Sequence, residues 1–313
     1  MAGTAGVIGL GDMGSGLARN LLKAGFSVKG YDLKDQRMRA FEEMGGELAN
    51  APSAVGEGTS VVFVMVMTGA QAAEVILGAP GGGAPGLKST LDRGSVIILS
   101  ATVHAHEAEA IAAGLDGSGI HLVDSPVSGG FPGAQGGTLT MMAAGSDEAL
   151  AIARPAMEAV SSTIHRVGDT APAGQIVKAC LQSLIGSIFT ATFEATVLAA
   201  KAGVPGEVLY NVFSTSSAGC VVTNTSLSNI MDRAFEGTGS HINTMYKDLT
   251  ISTAMARRLG VPLFTATTAL QLFQAGKTRH PGGDNWATTL VLEEIAGAEL
   301  HRDAARVKGE GEG

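Results

Sequence analysis

The stretch Ala5-Gly6-Val7-Ile8-Gly9-Leu10-Gly11-Asp12-Met13-Gly14 decides the fold. A short apolar run ends in G-x-G-x-x-G. Ser15-Gly16-Leu17-Ala18-Arg19-Asn20-Leu21-Leu22-Lys23-Ala24-Gly25 then follows with helical periodicity and a glycine stop. A second strand, Ser27-Val28-Lys29-Gly30-Tyr31-Asp32, closes on an acid about 20 residues past the first glycine. In a chain with 44 glycines the motif alone is weak. Strand, helix, second strand and terminal acid in register turn it into a dinucleotide signature. In that reading Gly9 makes the tight turn, Gly11 admits a pyrophosphate and Gly14 lets the helix pack on the strand. Leu10, Asp12 and Met13 complete the turn, and the helix N-terminus faces the phosphates. Asp32 would accept from ribose hydroxyls and repel a 2′-phosphate, so NAD is expected over NADP. Lys34, two residues on, softens that preference.

The rhythm continues along the chain. Ser60-Val61-Val62-Phe63-Val64-Met65-Val66 and Ser95-Val96-Ile97-Ile98-Leu99-Ser100 are continuous apolar runs, the pattern of parallel strands covered on both faces. Helical stretches lie between and after them, including residues 104–113. This alternation predicts a doubly wound α/β sheet. The glycine- and proline-rich segment 78–86 reads as an exposed turn, since no Lys-Ser/Thr pair follows it to cradle a phosphate.

At 313 residues the chain has room for two domains. Net charge is −8 and pI about 5.4, which argues against nucleic acid as a partner. The apolar stretch around Phe189 approaches the roughly 20 residues of a membrane span, but it carries Glu194 and many Thr and Ser. It reads as a core or interface helix, so no membrane partner is expected. The first strand begins almost at once, so a secretory leader is not expected. The two cysteines, Cys180 and Cys220, read as buried free thiols in a reducing cytoplasm. His104 and His106 face different ways on a helix, and no metal site is expected.

Lys178 stands in the first turns of that long helix, which reads IVKACLQSLIGSIFTATFEATVLAA over residues 176–200. Only Lys178 and Glu194 ionise there. A helix apolar on nearly every face is buried, and a small second domain could hardly cover it, so a homodimer or homotetramer is expected. A buried lysine is costly unless paired or used. Desolvation lowers its pKa toward the range of proton exchange near neutrality. The alternative is a lysine snorkelling at a helix end. Lys178 alone leaves both readings open.

Two further segments bear on the choice. Leu122-Val123-Asp124-Ser125-Pro126-Val127-Ser128-Gly129-Gly130 leaves a strand, turns at Ser-Gly-Gly and returns to a strand through Thr138-Leu139-Thr140. Backbone N–H groups beside a hydroxyl in such a turn form an anion nest. Tyr246-Lys247-Asp248-Leu249 opens an apolar-periodic helix running to Leu259.

With the glycine turn and the run from Gly174 to Gln182, these segments resemble the β-hydroxyacid dehydrogenase family. The resemblance spans residues 6–300, with four motifs in order. It implies an N-terminal Rossmann domain (1–170) and an all-helical domain for substrate and dimerisation (171–302), with the long helix joining the two domains, and the polar, glycine-rich segment 303–313 reads as a flexible tail. The resemblance also implies the site. Lys178 falls on the catalytic lysine, Ser128, Gly129 and Gly130 on the carboxylate turn, and Thr102 near nicotinamide and substrate. Lys247 and Asp248 match a motif that closes the site. The expected cofactor contacts are then Gly9, Leu10, Gly11, Asp12, Met13, Gly14, Asp32, Val66, Met67, Thr102 and Lys247, and Asp248 joins the substrate set.

One family position differs. An asparagine usually stands four residues after the lysine, and here it is Gln182. One helical turn separates the two. The sugar-acid branch of the family accepts Gln there by resemblance, and Thr138-Leu139-Thr140-Met141-Met142-Ala143-Ala144-Gly145 is similar to that branch too. A four-carbon sugar acid such as L-threonate is therefore the favoured substrate. The alternatives are 3-hydroxyisobutyrate and the tartronate and succinate semialdehydes. Leu181 stands where the sugar-phosphate branch carries a histidine, which disfavours a phosphosugar. A non-catalytic dinucleotide-binding protein is the rival from another class, but such members lose the lysine. Imine reductases lack it as well.

Overall fold

The computed structural model describes residues 3–307. The chain forms two compact units, one ending at Lys178 and the other beginning at Ala179.

The first unit is the expected doubly wound sheet. Strands β1 (Thr4–Ile8), β2 (Ser27–Tyr31), β3 (Glu47–Leu48), β4 (Val61–Val64), β5 (Val96–Leu99) and β6 (His121–Asp124) run parallel in the order β3-β2-β1-β4-β5-β6. Between them lie α1 (Asp12–Lys23), α2 (Asp35–Glu43), α3 (Gly69–Leu77) and α4 (Ala105–Leu115). The apolar strands alternate their side chains between two cores. Val61, Phe63, Val96 and Ile98 pack with Leu17 and Leu21 of α1, whereas Val62, Val64, Ile97 and Leu99 pack with Ile76 of α3 and Ile111 of α4. Period-two alternation with both faces buried is why these strands read as unbroken apolar runs. The strand order reverses between β1 and β4. In such sheets that reversal opens a crevice at the carboxyl ends of the strands.

The rest of this unit departs from a simple turn. After β7 (Val127–Ser128) the chain makes a short helix, α5 (Gly130–Gly136), where a direct return to a strand was expected. Gly129 sits at φ 126, a conformation a side chain rarely adopts, and the chain enters α5 from it. Asn20 of α1 holds α5 in place, its Nδ2 donating to Ala134 O at 2.8 Å. The chain then returns through β8 (Leu139–Ala144), antiparallel to β6 and β7, and continues through α6 (Asp147–Val160) into β9 (Ser161–Gly168), parallel to β8.

Helix α7 (Ala173–Lys201) starts in the first unit and runs on into the second. Its burial corrects the expectation of a helix buried all round. Lys178, Gln182, Phe189, Phe193 and Ala200 line a buried face at helical spacing, while Leu184 and Leu198 are exposed. Cys180 is exposed too and Cys220 half-buried, so neither is the fully buried thiol expected. Cys180 follows Lys178 by two residues, which turns it onto the other side of the helix. In length and apolar character α7 would pass for a membrane span. Phe189 and Phe193 instead pack with Phe273 in the core of the second unit.

That unit continues through α8 (Gly206–Thr215), α9 (Val221–Met231), α10 (Ile242–Leu259), α11 (Phe264–Arg279) and α12 (Thr289–Ala296). Helix α10 starts four residues before Tyr246, because Ile242 and Met245 already belong to the apolar core. A two-stranded antiparallel ribbon, β10 (Ala298–Leu300) with β11 (Ala305–Val307), closes the described chain. The tail expected to be flexible from residue 303 therefore includes a paired strand from Ala305, and residues 308–313 lie outside the described residues.

Candidate active site

In the first unit the glycine turn joins β1 to α1. Gly9 takes φ 90, and its N–H donates to Tyr31 O at 2.9 Å. A Cβ at Gly9 would collide with the Met65 carbonyl, and one at Gly14 with the Gly9 carbonyl. At Gly11 the nearest neighbour would be the Arg37 guanidinium at 3.4 Å, so the turn's outer surface meets the end of a flexible side chain rather than backbone. Gly11 is the N-cap of α1, with Asp12 and Met13 in the first turn, and Leu10 follows Gly9 in the bend. Val66 and Met67 follow β4, beside β1, at the same ends of the strands. A glycine turn, a helix N-terminus and an acid at the end of β2 fit a dinucleotide.

Asp32 is more engaged than the sequence suggests. Its Oδ2 accepts the Leu10 N–H at 2.8 Å and its Oδ1 the Lys34 N–H at 2.9 Å. Arg37, in the first turn of α2, pairs with it at 3.2 Å. The acid thus anchors the glycine turn.

The candidate chemistry lies further along the same carboxyl ends of the strands, after β5 and β6. Lys178 is 6% exposed, and its Nζ donates to Val127 O at 2.8 Å. This bond brings the amine to the residue before Ser128 and the Gly129-Gly130 turn. Thr102 lies between two backbone groups held by one side chain. Gln175 Nε2 donates to Ala101 O at 3.1 Å, and Gln175 Oε1 accepts the Val103 N–H at 3.0 Å. Gln175 also donates its backbone N–H and its amide to Asp124, at the end of β6. Asp124 is fully buried, and desolvation raises its pKa to about 6, against the pull of the Gln175 hydrogen bonds. The first unit thus brings Lys178, Ser128, Gly129, Gly130 and Thr102 to one end through Asp124 and Gln175.

In the second unit Gln182 and Asp248 meet. Both are buried, and Gln182 Nε2 donates to Asp248 Oδ2 at 2.5 Å. Lys247 Nζ lies 3.1 Å from Asp248 Oδ1. Ser252 Oγ donates to Ala179 O at 2.8 Å, so α10 is fastened to α7 at Ala179 and Gln182, and one turn further on Leu249 packs against the bare backbone of Gly186. The amide of Gln182 is committed to the Asp248 carboxylate.

Asp124, Gln175 and Arg37 were not singled out from the sequence. A signal existed for Asp124, a charged residue ending an apolar strand, and for Gln175, a polar residue opening an apolar helix. Arg37 gave none, because a cation in the first turn of a surface helix is ordinary.

Comparison with known proteins agrees with this fold. Residues 4–168 match the NAD-binding domain of 6-phosphogluconate dehydrogenase, and residues 172–292 match the NAD-binding domain of NADP-dependent 3-hydroxyisobutyrate dehydrogenase. The chain is 33% identical over 300 residues to L-threonate dehydrogenase of Cupriavidus necator, covering 96% of this chain and 98% of that one. It is 32% identical over 273 residues to 3-hydroxyisobutyrate dehydrogenase of Pseudomonas aeruginosa, covering 85% and 89%. The crystal structure of 3-hydroxyisobutyrate dehydrogenase from Salmonella typhimurium superposes with a TM-score of 0.83 at 31% identity, covering 92% of this chain and 99% of that one. The chain is an oxidoreductase acting on CH–OH donors, and it belongs to the β-hydroxyacid dehydrogenase family.

Proposed function

We propose that this chain oxidises a small hydroxy acid with NAD, reversibly, with Lys178 as general acid and base and a four-carbon sugar acid such as L-threonate as substrate. The observation that carries the reading is the bond from Lys178 Nζ to Val127 O, 2.8 Å, beside the Ser128-Gly129-Gly130 turn. It holds a buried amine next to a backbone nest suited to a carboxylate. In oxidation Lys178 acts as a neutral amine and accepts the hydroxyl proton while the carbinol C–H leaves as hydride and the C–O bond becomes a carbonyl. In reduction Lys178 returns the proton to the carbonyl oxygen. When bound, the nicotinamide takes up or supplies the hydride.

The remaining roles are those that the family motifs imply. Ser128 and the N–H groups of Gly129 and Gly130 hold the carboxylate, which fixes the reacting carbon. Thr102 borders substrate and nicotinamide. In the second unit Gln182 and Asp248 form one hydrogen-bonded pair with Lys247 beside it, and by resemblance to the family Asp248 serves the substrate and Lys247 the cofactor. Asp32 favours the unphosphorylated ribose. The sugar acid is supported by the L-threonate dehydrogenases among the relatives at 31–33% identity. The chain works as a homodimer or homotetramer, and its two free cysteines suit a reducing cytoplasm.

The test is to incubate the protein with NAD⁺ and a panel of hydroxy acids and follow the reduced-nicotinamide absorbance. L-threonate should give the highest kcat/KM. A higher value with 3-hydroxyisobutyrate would move the assignment to that substrate.

A further inference from the structure

We propose that Gln175 is a positioning residue for the proton transfer: its buried amide sets where the Lys178 amine stands beside the Ser128-Gly129-Gly130 turn. This rests on the reading of Lys178 as acid and base, and it adds the residue that aims it.

The first turn of a helix cannot satisfy its own leading N–H groups. In α7 the Asp124 carboxylate, at the end of β6, takes that part, its Oδ2 accepting the Gln175 N–H at 3.1 Å. Gly174 permits the approach, since a Cβ there would stand 2.6 Å from Asp124 O and 2.8 Å from Met142 O. The helix therefore begins with its backbone against the ends of β6 and β8. Lys178 follows on the same side of the helix, and its Nζ donates to Val127 O at 2.8 Å. Asp124 and Val127 are three residues apart, and so are Gln175 and Lys178. The two segments are tied at both ends, so where Gln175 sits on Asp124 decides where the amine arrives.

The Gln175 side chain fixes that seat. It is 2% exposed. Its amide nitrogen donates to Asp124 Oδ1 at 2.8 Å and to Ala101 O at 3.1 Å, while Oε1 accepts the Val103 N–H at 3.0 Å. Ala101 and Val103, each 1% exposed, are the rigid end of this attachment. Both donors and the acceptor of the amide are thus engaged, and substitution cannot keep them all. Asparagine falls one methylene short. Glutamate keeps the acceptor for Val103 but, ionised, loses both donors and faces the Asp124 carboxylate.

The test is steady-state turnover with NAD⁺ and the better substrate of L-threonate and 3-hydroxyisobutyrate. It compares wild type, Gln175→Asn, Lys178→Ala and the double variant, with NADH affinity titrated on each. A misplacement of about 1 Å costs on the order of 100-fold, so Gln175→Asn should lower kcat by roughly 10- to 100-fold, with KM and the NADH Kd within about three-fold of wild type. In the Lys178→Ala background the same substitution should cost less than about three-fold, because the group it aims is gone. Should Gln175→Asn fail to fold, Gln175→Glu, of native length, carries the same expectations. A folded variant whose kcat stays within about three-fold of wild type overturns the proposal. So does a loss that repeats in full in the Lys178→Ala background, which is the mark of a loosened fold rather than a misaimed amine. A fully active Lys178→Ala overturns the lysine reading itself, an outcome told apart by the single variant alone.

Discussion

Gln175 holds the Asp124 carboxylate twice, its backbone N–H donating to Oδ2 at 3.1 Å and its side-chain amide to Oδ1 at 2.8 Å. The same amide reaches Ala101 O and Val103 N on either side of Thr102. One side chain thus ties the start of α7 to the ends of β5 and β6, three residues before Lys178.

This buried pair has a pH signature. Asp124 titrates at about 6 in the fold against 3.8 for an unperturbed aspartate, so its charged form is disfavoured by about 3 kcal/mol. A raised pKa means that the stabilisation is complete below 3.8 and is lost as pH rises through about 6. Asp124→Asn removes the titration. Denaturant unfolding should show the advantage of wild type over Asp124→Asn shrinking by roughly 2–3 kcal/mol between about pH 4 and about pH 7. A difference independent of pH would mean that Asp124 is not held near 6.

Gln182→Asn retracts the amide by one methylene and breaks its bond to Asp248. If the Gln182–Asp248 unit reads the substrate, the kcat/KM ratio between a four-carbon and a three-carbon acid should shift by roughly 10-fold or more, the range of one methylene in a packed pocket. A parallel fall in both would assign Gln182 to positioning rather than selection. No change in either would remove the amide from the site and take the main sequence support for a sugar acid with it.

The apolar surface of the second unit predicts assembly. Leu198 on α7 is 72% exposed, and Val208 and Val212, one turn apart on α8, are 52% and 57% exposed. Light scattering should give a dimer or tetramer, and Leu198→Asp should lower the mass without lowering helix content. A wild-type mass equal to the monomer at every concentration would contradict this.

Much of this was legible in the sequence, for identifiable reasons. The strands around Val62 and Ile97 were readable because sheet burial on both faces leaves continuous apolar runs. Gly9 and Gly14 were readable because close backbone contacts exclude a side chain. Helix α5 was not, since Gly130, Gly133 and Gly136 have poor helix propensity and Asn20, far away in the chain, supplies the anchor. Arg37 and Gln175 escaped because polar contacts between distant segments have no period. The exposed face of α7 escaped because composition does not distinguish apolar surface covered by its own chain from surface left open.

The central claim is that Lys178 moves the proton. The most direct measurement is the rate of nicotinamide reduction with L-threonate by Lys178→Ala beside wild type, with NADH affinity measured on both. The account predicts a fall in kcat of roughly 10²–10⁴-fold with the dinucleotide Kd unchanged within about three-fold, because a general base is lost while the phosphate-binding turn is untouched. A variant that keeps more than about a tenth of wild-type turnover would contradict it.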